Sequence, residues 1–108
     1  MTAIRIAAPA RRDIERLLAV SRASFGEEAA ERYRSLILRG LAMVRDDPKG
    51  AKSRPLRLAR PGVLSLHLRA VPSPVRRPRH RLIYIVDDQT VVVLRVVHDR
   101  MDLQAAIR

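Results

Sequence analysis

The sequence predicts an α+β domain in which a helical hairpin packs on a small, mostly antiparallel sheet, with the element order β-α-α-β-β-β. Three features predict it: two apolar stripes with helical spacing early in the chain, six of the seven prolines between positions 48 and 78, and strand-like apolar runs after position 62. A chain of 108 residues is long enough for one hydrophobic core and too short for two. We therefore expect a single domain over residues 1–108.

The first strand and the first helix are separated by a change in hydrophobic period. Residues 3–7 alternate apolar and polar side chains around Arg5, which indicates a short strand. Pro9 suits the first turn of a helix, and Gly26 suits the position just after its end. The helix between them has an apolar stripe made of Ile14, Leu17, Leu18 and Phe25.

A second helix is predicted to begin at Glu27 and Glu28, because negative charges favour the positive end of the helix dipole. Its apolar stripe consists of Ala30, Tyr33, Ile37, Leu41 and Val44. Pro48 ends the helix, and the connection to the first helix is so short that the two must be antiparallel neighbours. Leu36 and Leu38 are expected to lie outside the stripe.

Three strands are predicted in the second half of the chain. Residues 63–69 alternate leucines with polar side chains, as in a half-buried strand. A basic, proline-rich loop follows over residues 70–80. Residues 82–86 and 91–97 are almost wholly apolar and are joined by a tight turn, which predicts central strands covered by the helices on at least one face.

The net charge of +11 is concentrated in the middle of the chain. Residues 48–86 contain ten Lys and Arg and no Asp or Glu, whereas residues 1–47 have a net charge of +2 and residues 87–108 of −1. A block of one sign predicts an anionic partner, either nucleic acid or an acidic protein.

Composition also indicates the cellular compartment of the protein. The chain contains no cysteine, which excludes a disulfide framework and a thiolate metal site. No signal peptide is visible, and no segment approaches the roughly 18 to 20 consecutive apolar residues of a membrane span. We expect a cytoplasmic protein.

The order and spacing of four segments resemble a known family. "PARRDIERL", "FGEEAAERY", "GVLSLHL" and "LIYIVDDQTVVVLRVVHDRMDL" are together similar to the ParE branch of the RelE/ParE toxins of type II toxin–antitoxin modules. The resemblance extends from about residue 4 to residue 103. The proline-rich loop departs from it, because family members usually connect these strands through a shorter turn.

The resemblance implies a non-catalytic toxin that needs no cofactor, inhibits DNA gyrase and is neutralised by a cognate antitoxin. Its expected target-binding residues are Arg79, Arg81, Arg95, His98 and Arg100. An amphipathic antitoxin helix is expected in a groove between hairpin and sheet. The expected antitoxin-binding residues are Leu36, Leu38, Arg76 and Arg77.

His98, Asp99, Arg100 and Asp102 raise a different possibility, because such residues at the end of a strand are typical of hydrolases. His98 would be a general base oriented by Asp99 or Asp102, and Arg100 would stabilise the transition state. The alternative is that His98 ends the strand while the carboxylates cap or pair with nearby arginines.

The RelE branch, which cleaves mRNA in the ribosome, is the alternative function. It needs cations for the scissile phosphate and a group to move the 2′-hydroxyl proton. As a nuclease, this chain would use His98, Arg81 and Arg100, with Arg69 and Arg79 as further cations. No tyrosine follows residue 103.

The remaining titratable groups suggest structural roles. Tyr84 lies in an apolar strand and is expected in the core with its hydroxyl reaching an edge. His67 faces the polar side of its strand, where solvation or a hydrogen bond is expected. The pKa of His80, between Arg79 and Arg81, is expected to be lowered, and the histidine spacing indicates no metal site.

The segment "RRPRHR", residues 76–81, allows three interpretations. It would contact nucleic-acid phosphates with strong salt dependence, meet acidic side chains of a protein, or remain a solvated loop. No aromatic residue lies among these arginines to stack on a base, which weakens single-strand recognition.

Overall fold

The computed structural model describes residues 3–50, 52–56 and 61–106. The elements along the chain are β1 (Ala3–Ile6), α1 (Ala8–Phe25), α2 (Glu27–Asp46), β2 (Arg54–Pro55), β3 (Leu64–His67), a 3₁₀ turn (Leu68–Ala70), β4 (His80–Asp87), β5 (Thr90–His98) and α3 (Leu103–Ala106). The described strands form a sheet in the order β1-β5-β4-β3-β2, in which β1 is parallel to β5 and the other pairs are antiparallel. The predicted fold class is confirmed.

The main core lies between the hairpin of α1 and α2 and one face of the sheet. Apolar side chains from all these elements meet there: Ala10, Leu36, Ile37, Leu41, Val44, Leu66, Leu68, Leu82, Tyr84, Val91, Val93 and Val96. A smaller cluster contains Val63, Ile83 and Val97, with Leu103 of α3 packed against it. Because β4 and β5 contribute to both clusters, their sequences are apolar almost throughout.

The helix boundaries follow the predicted signals. Pro9 lies in the first turn of α1, and Gly26 at φ 93° separates α1 from α2. The Gly26 N–H donates to the Arg22 carbonyl at 2.9 Å, and its own carbonyl accepts from Ala30. A positive φ without steric cost makes glycine suitable for this abrupt reversal.

Two sequence predictions about the strands need correction. β2 was missed because two exposed residues, Arg54 and Pro55, carry no alternating pattern. The strand predicted over residues 63–69 ends at His67, where the chain turns into the 3₁₀ segment. Leu68 is still fully buried, so the leucine alternation continues past the last strand residue.

The prediction that Leu36 lies outside the helical stripe is wrong. Its side chain is only 1% exposed and belongs to the main core, whereas that of Leu38 is 49% exposed. Leu36 lies one residue before Ile37 of the predicted stripe, so the buried face of α2 is wider than that stripe.

The loop between the 3₁₀ turn and β4 is attached to the helical hairpin. Arg39 Nη1 donates to the Pro72 carbonyl at 3.0 Å, and Val71 and Val75 pack in or against the main core. In the part of the chain that is described, none of the helices has the length and hydrophobicity needed to cross a membrane.

Candidate functional site

The end of β5 gathers the three histidines of the sequence. Strand register places His80 opposite His98 and Arg81 opposite His67. Their neighbours create two concave surfaces that share His98.

The first surface, called here the sheet-end cleft, is open and has a volume of about 190 Å³. It is lined by His67, Arg69, Arg81, His98, Asp99, Met101 and Leu103. Through Leu103 it borders the smaller apolar cluster. Arg81 makes a long contact of 3.5 Å from Nη1 to the hydroxyl of Ser65, whose side chain is buried.

Asp99 interacts with His67, whereas the hydrolase interpretation required an interaction of Asp99 or Asp102 with His98. Its Oδ1 lies 2.9 Å from His67 Nε2, and the His67 side chain is only 10% exposed. The Arg69 backbone N–H donates to His67 Nδ1 at 3.1 Å, so His67 must donate to Asp99 through Nε2. Burial acts to raise the pKa of Asp99, but the hydrogen bond from His67 and the charge of Arg81 leave this pKa below its ordinary value.

His80 interacts with Tyr33 of α2. The Tyr33 hydroxyl forms a hydrogen bond of 2.6 Å with His80 Nδ1 and accepts from the Arg79 N–H at 3.3 Å. Burial raises the pKa of Tyr33 to about 12 and, with the charge of His98, lowers the pKa of His80 to about 4. The lowered pKa of His80 was predicted, but its main cause is burial and not the neighbouring arginines.

His98 is also engaged through Nδ1, which accepts the Arg100 backbone N–H at 3.1 Å. His67 uses the same nitrogen in the same way. Since a neutral imidazole has one acceptor nitrogen, the rings of His67 and His98 carry their proton on Nε2 and have no unoccupied acceptor.

Arg95 is held by a carboxylate of α1. Its Nε and Nη2 donate to the two oxygens of Asp13 at 2.7 and 2.9 Å, and the Val96 N–H donates to the same carboxylate at 2.9 Å. The hydrogen bond to Asp13 raises the pKa of Arg95 further. Its first role is thus to join α1 to β5, and target binding by Arg95 stays a prediction.

The second surface, called here the hairpin groove, lies between the helices and the proline-rich loop and has a volume of about 670 Å³. Its apolar lining includes Leu17, Val20, Phe25 and Val75, and its cations are Arg32, Arg76, Arg77 and Arg79. No Asp or Glu is among the described residues that line it. Val20 and Phe25 are 59% and 78% exposed, so this groove is an apolar floor open to solvent and edged by cations.

The structural role predicted for Tyr84 is confirmed. Its ring is fully buried, and its hydroxyl donates to the Pro48 carbonyl and contacts Ser53 Oγ at 2.6 Å. Arg100 and Asp102 are exposed after β5. The described residues contain no group of three or more His, Cys, Asp or Glu that could hold a metal ion.

A family model described as "ParE toxin of type II toxin-antitoxin system, parDE" matches residues 4–103. The chain belongs to the ParE toxin family. No curated protein sequence matches it.

Solved structures show the same fold at low sequence identity. A chain of the chromosomal ParDE system from P. aeruginosa is 17% identical with a TM-score of 0.73, covering 91% of this chain and 96% of that chain. A copper-bound mutant toxin from Helicobacter pylori is 17% identical with a TM-score of 0.62 and coverage of 91% and 94%. A chain of the E. coli DinJ-YafQ complex is 19% identical with a TM-score of 0.54 and coverage of 91% and 93%.

Within this ParE-family chain, sequence reasoning missed the contacts made over long separations. The His67–Asp99 pair is separated by 32 residues and the Asp13–Arg95 pair by 82. Only the strand register and the packing of α1 on β5 bring these groups together. A weak signal for Asp13 was available, since it lies one residue before the apolar stripe of α1 begins.

Proposed function

We propose that this ParE-family toxin inhibits DNA gyrase by protein–protein contact and is neutralised by a cognate antitoxin. The observation that supports a non-catalytic function is that the acceptor nitrogens of His67 and His98 are already occupied by backbone N–H groups. A general base must have a free lone pair within reach of the proton it removes. His98 would have to break its hydrogen bond with the Arg100 N–H before it could act in this way.

The proposed target-binding surface is the end of the sheet. His98 and Arg81 line the sheet-end cleft, Arg79 lines the hairpin groove, and Arg100 is exposed beside them. Such a surface of guanidinium groups and imidazole N–H donors suits acidic or carbonyl-bearing partners. Arg95, already held by Asp13, would contribute by supporting this end of β5.

The proposed antitoxin site is the hairpin groove. Its apolar floor and cationic edge complement an amphipathic helix with acidic flanks, in the helix-in-groove mode. Arg76 and Arg77 line this groove as the antitoxin prediction requires. Buried Leu36 would have to leave the core to take part, and exposed Leu38 is not among the lining residues.

A RelE-like mRNA endonuclease is the second candidate, and one observation favours it. The sheet-end cleft brings His67, His98 and Asp99 together with the guanidinium of Arg81. Imidazole, carboxylate and guanidinium groups in one cleft are the components of phosphodiester cleavage. The nuclease would require one imidazole to rearrange when RNA binds.

The test is a pair of assays with the purified chain. We expect loss of supercoiling by purified gyrase and unchanged translation in a reconstituted system. His98→Gln keeps an N–H donor for the gyrase contact but cannot titrate, so inhibition of gyrase should persist in this variant and be weakened at most severalfold. Intact gyrase activity with rapid mRNA cleavage, abolished by His98→Gln, would establish the nuclease instead. Either target assigns the protein to the bacterial cytoplasm.

A further inference from the structure

The sheet-end cleft contains more positive than negative charge. Arg69 and Arg81 both line it, and Asp99 is the one carboxylate among its described lining residues. The Asp99 charge is already partnered, because His67 donates to it and Arg81 lies close enough to lower its pKa. The more exposed Arg69 adds a second guanidinium at the cleft.

We propose that the sheet-end cleft binds a backbone phosphate of double-stranded nucleic acid and holds it without cleaving it. This interaction goes beyond protein contact with gyrase and uses Arg81 of the same proposed target-binding surface. Guanidinium groups present planar pairs of N–H donors that match phosphate oxygens better than other cationic side chains do. The cleft volume of about 190 Å³ is small and open, which suits one phosphate group at the surface.

Duplex is favoured over single strands by what lines the cleft. Single-strand binding sites stack successive bases on aromatic side chains. Among the three aromatic residues of the chain, Tyr84 is buried, Tyr33 is bonded to His80, and Phe25 lines the hairpin groove. No Phe, Tyr or Trp lines the sheet-end cleft, and its two guanidinium groups favour backbone charge as the feature recognised there.

Cleavage is not expected, because both imidazoles of the cleft have their acceptor nitrogens occupied by backbone N–H groups. His67 receives the Arg69 N–H and His98 receives the Arg100 N–H. His67 therefore acts as a support that fixes Asp99, which in turn faces the charge of Arg81.

The experiment measures binding of the full chain to a short fluorescent DNA duplex by anisotropy over a range of salt concentrations. The test variant is Arg69→Gln/Arg81→Gln, and the charge-matched control is Arg5→Gln/Arg12→Gln, which removes two exposed arginines outside the cleft. We expect the test variant to weaken binding about tenfold and to reduce the slope of log K against log salt by about 1.8, as for two lost phosphate contacts. The control should weaken binding less than threefold. Equal weakening by both variants, or no binding by the native chain, would overturn the proposal.

Asp99→Asn gives an independent readout that does not depend on losing a cation. Asparagine keeps an oxygen to accept from His67 and removes the negative charge from the cleft. DNA should then bind as tightly as before or several-fold more tightly, whereas weaker binding by a folded variant would contradict a phosphate site.

The same titration with single-stranded DNA and with RNA of matching sequence identifies the source of the phosphate. Preference for single strands, or cleavage of the RNA, would also overturn the proposal of a duplex phosphate site.

Discussion

At the residue scale, the carboxylate of Asp13 satisfies donors from two successive residues of β5. It accepts Nε and Nη2 of Arg95 and the backbone N–H of Val96, and its side chain is only 10% exposed. Arg95 and Val96 lie just after a β-bulge in the pairing of β4 with β5, where the register shifts between Ile83 and Tyr84. The described pairing of β1 with β5 ends at Val93, and beyond it the helix side chain of Asp13 supplies the acceptor for the Val96 N–H.

Asp13→Ala should therefore lower the free energy of unfolding by about 3 kcal/mol, because it leaves a partly buried guanidinium and a backbone N–H without their acceptor. Urea denaturation followed by far-UV circular dichroism measures this change. Glu15→Ala, which removes an exposed carboxylate from the same helix, serves as the control and should change it by less than about 0.5 kcal/mol. Equal effects of the two substitutions would show that helix charge, and not the contact with Arg95, determines the loss.

The Tyr33–His80 contact predicts a pH dependence of stability. The pKa of His80 is lowered from 6.5 to about 4, mainly by burial and then by the charge of His98. Below pH 6.5 the unfolded chain binds a proton that the folded chain excludes. This contribution to stability is complete above pH 6.5 and is lost progressively as the pH falls towards 4, by about 3 kcal/mol in total.

His80→Gln should remove most of this dependence, because glutamine accepts a hydrogen bond from Tyr33 but does not titrate. Urea midpoints of both proteins between about pH 7 and pH 5 provide the comparison. Asp99, whose pKa is lowered, affects stability only as the pH falls towards and below its ordinary 3.8. If the native and variant midpoints fall in parallel, another group is responsible.

These residue contacts define the limits of sequence-based prediction. Alternation predicted that His67 faces the polar side, but not that Asp99 is its partner, since that depends on the path of the chain after β5. The direction of the His80 pKa shift was predicted for a reason that proved secondary. Local neighbours are visible in a sequence, whereas burial by α2 depends on tertiary packing.

At the element scale, the turn between β4 and β5 has a backbone conformation that Gln89 does not favour. Asp88 and Gln89 have φ values of 46° and 61°, the left-handed region that type I′ hairpins require at both central positions. Asn-Gly is the preferred pair for this turn, because these residues reach positive φ at low cost.

Gln89→Gly should thus raise the free energy of unfolding by about 0.5 to 1 kcal/mol, since relief of side-chain strain outweighs the added freedom of the unfolded chain. The increase would be measured as a higher urea midpoint with an unchanged m-value. Gln89→Ala is the matched control: it removes the side chain but keeps Cβ, so it should give no increase. A gain for alanine as large as for glycine would show that strain at Gln89 is absent.

The elements themselves differed in how well the sequence predicted them. α1 and α2 have long periodic stripes bounded by Pro9, Gly26 and Pro48, and both were located to within about two residues. β4 and β5 were recognised from apolar runs, but such runs do not reveal a bulge because both faces are buried. β2 is defined only by its pairing with β3, which no local pattern encodes.

At the scale of the whole molecule, the hairpin groove and the sheet-end cleft are adjacent because both are lined by His98. A helix in the groove would lie next to the cleft and would obstruct a partner at the end of the sheet. This arrangement explains how an antitoxin would neutralise the toxin without occupying every target-binding residue. It also predicts that substitutions in the groove at a distance from His98 weaken antitoxin binding and leave inhibition of the target intact.

Phe25→Asp is the substitution that tests this separation. Its side chain is 78% exposed, so the fold should tolerate the change, but a charge on the apolar floor should weaken antitoxin binding at least tenfold, or about 1.4 kcal/mol. Inhibition of the cellular target by the isolated chain should stay unchanged. Calorimetric titration with the antitoxin and growth assays with and without it give the two readouts.

Leu38→Asp is the matched control on α2, exposed but outside the groove, and should leave both readouts unchanged. If Leu38→Asp abolishes neutralisation and Phe25→Asp does not, the antitoxin helix binds the outer face of α2 instead of the groove.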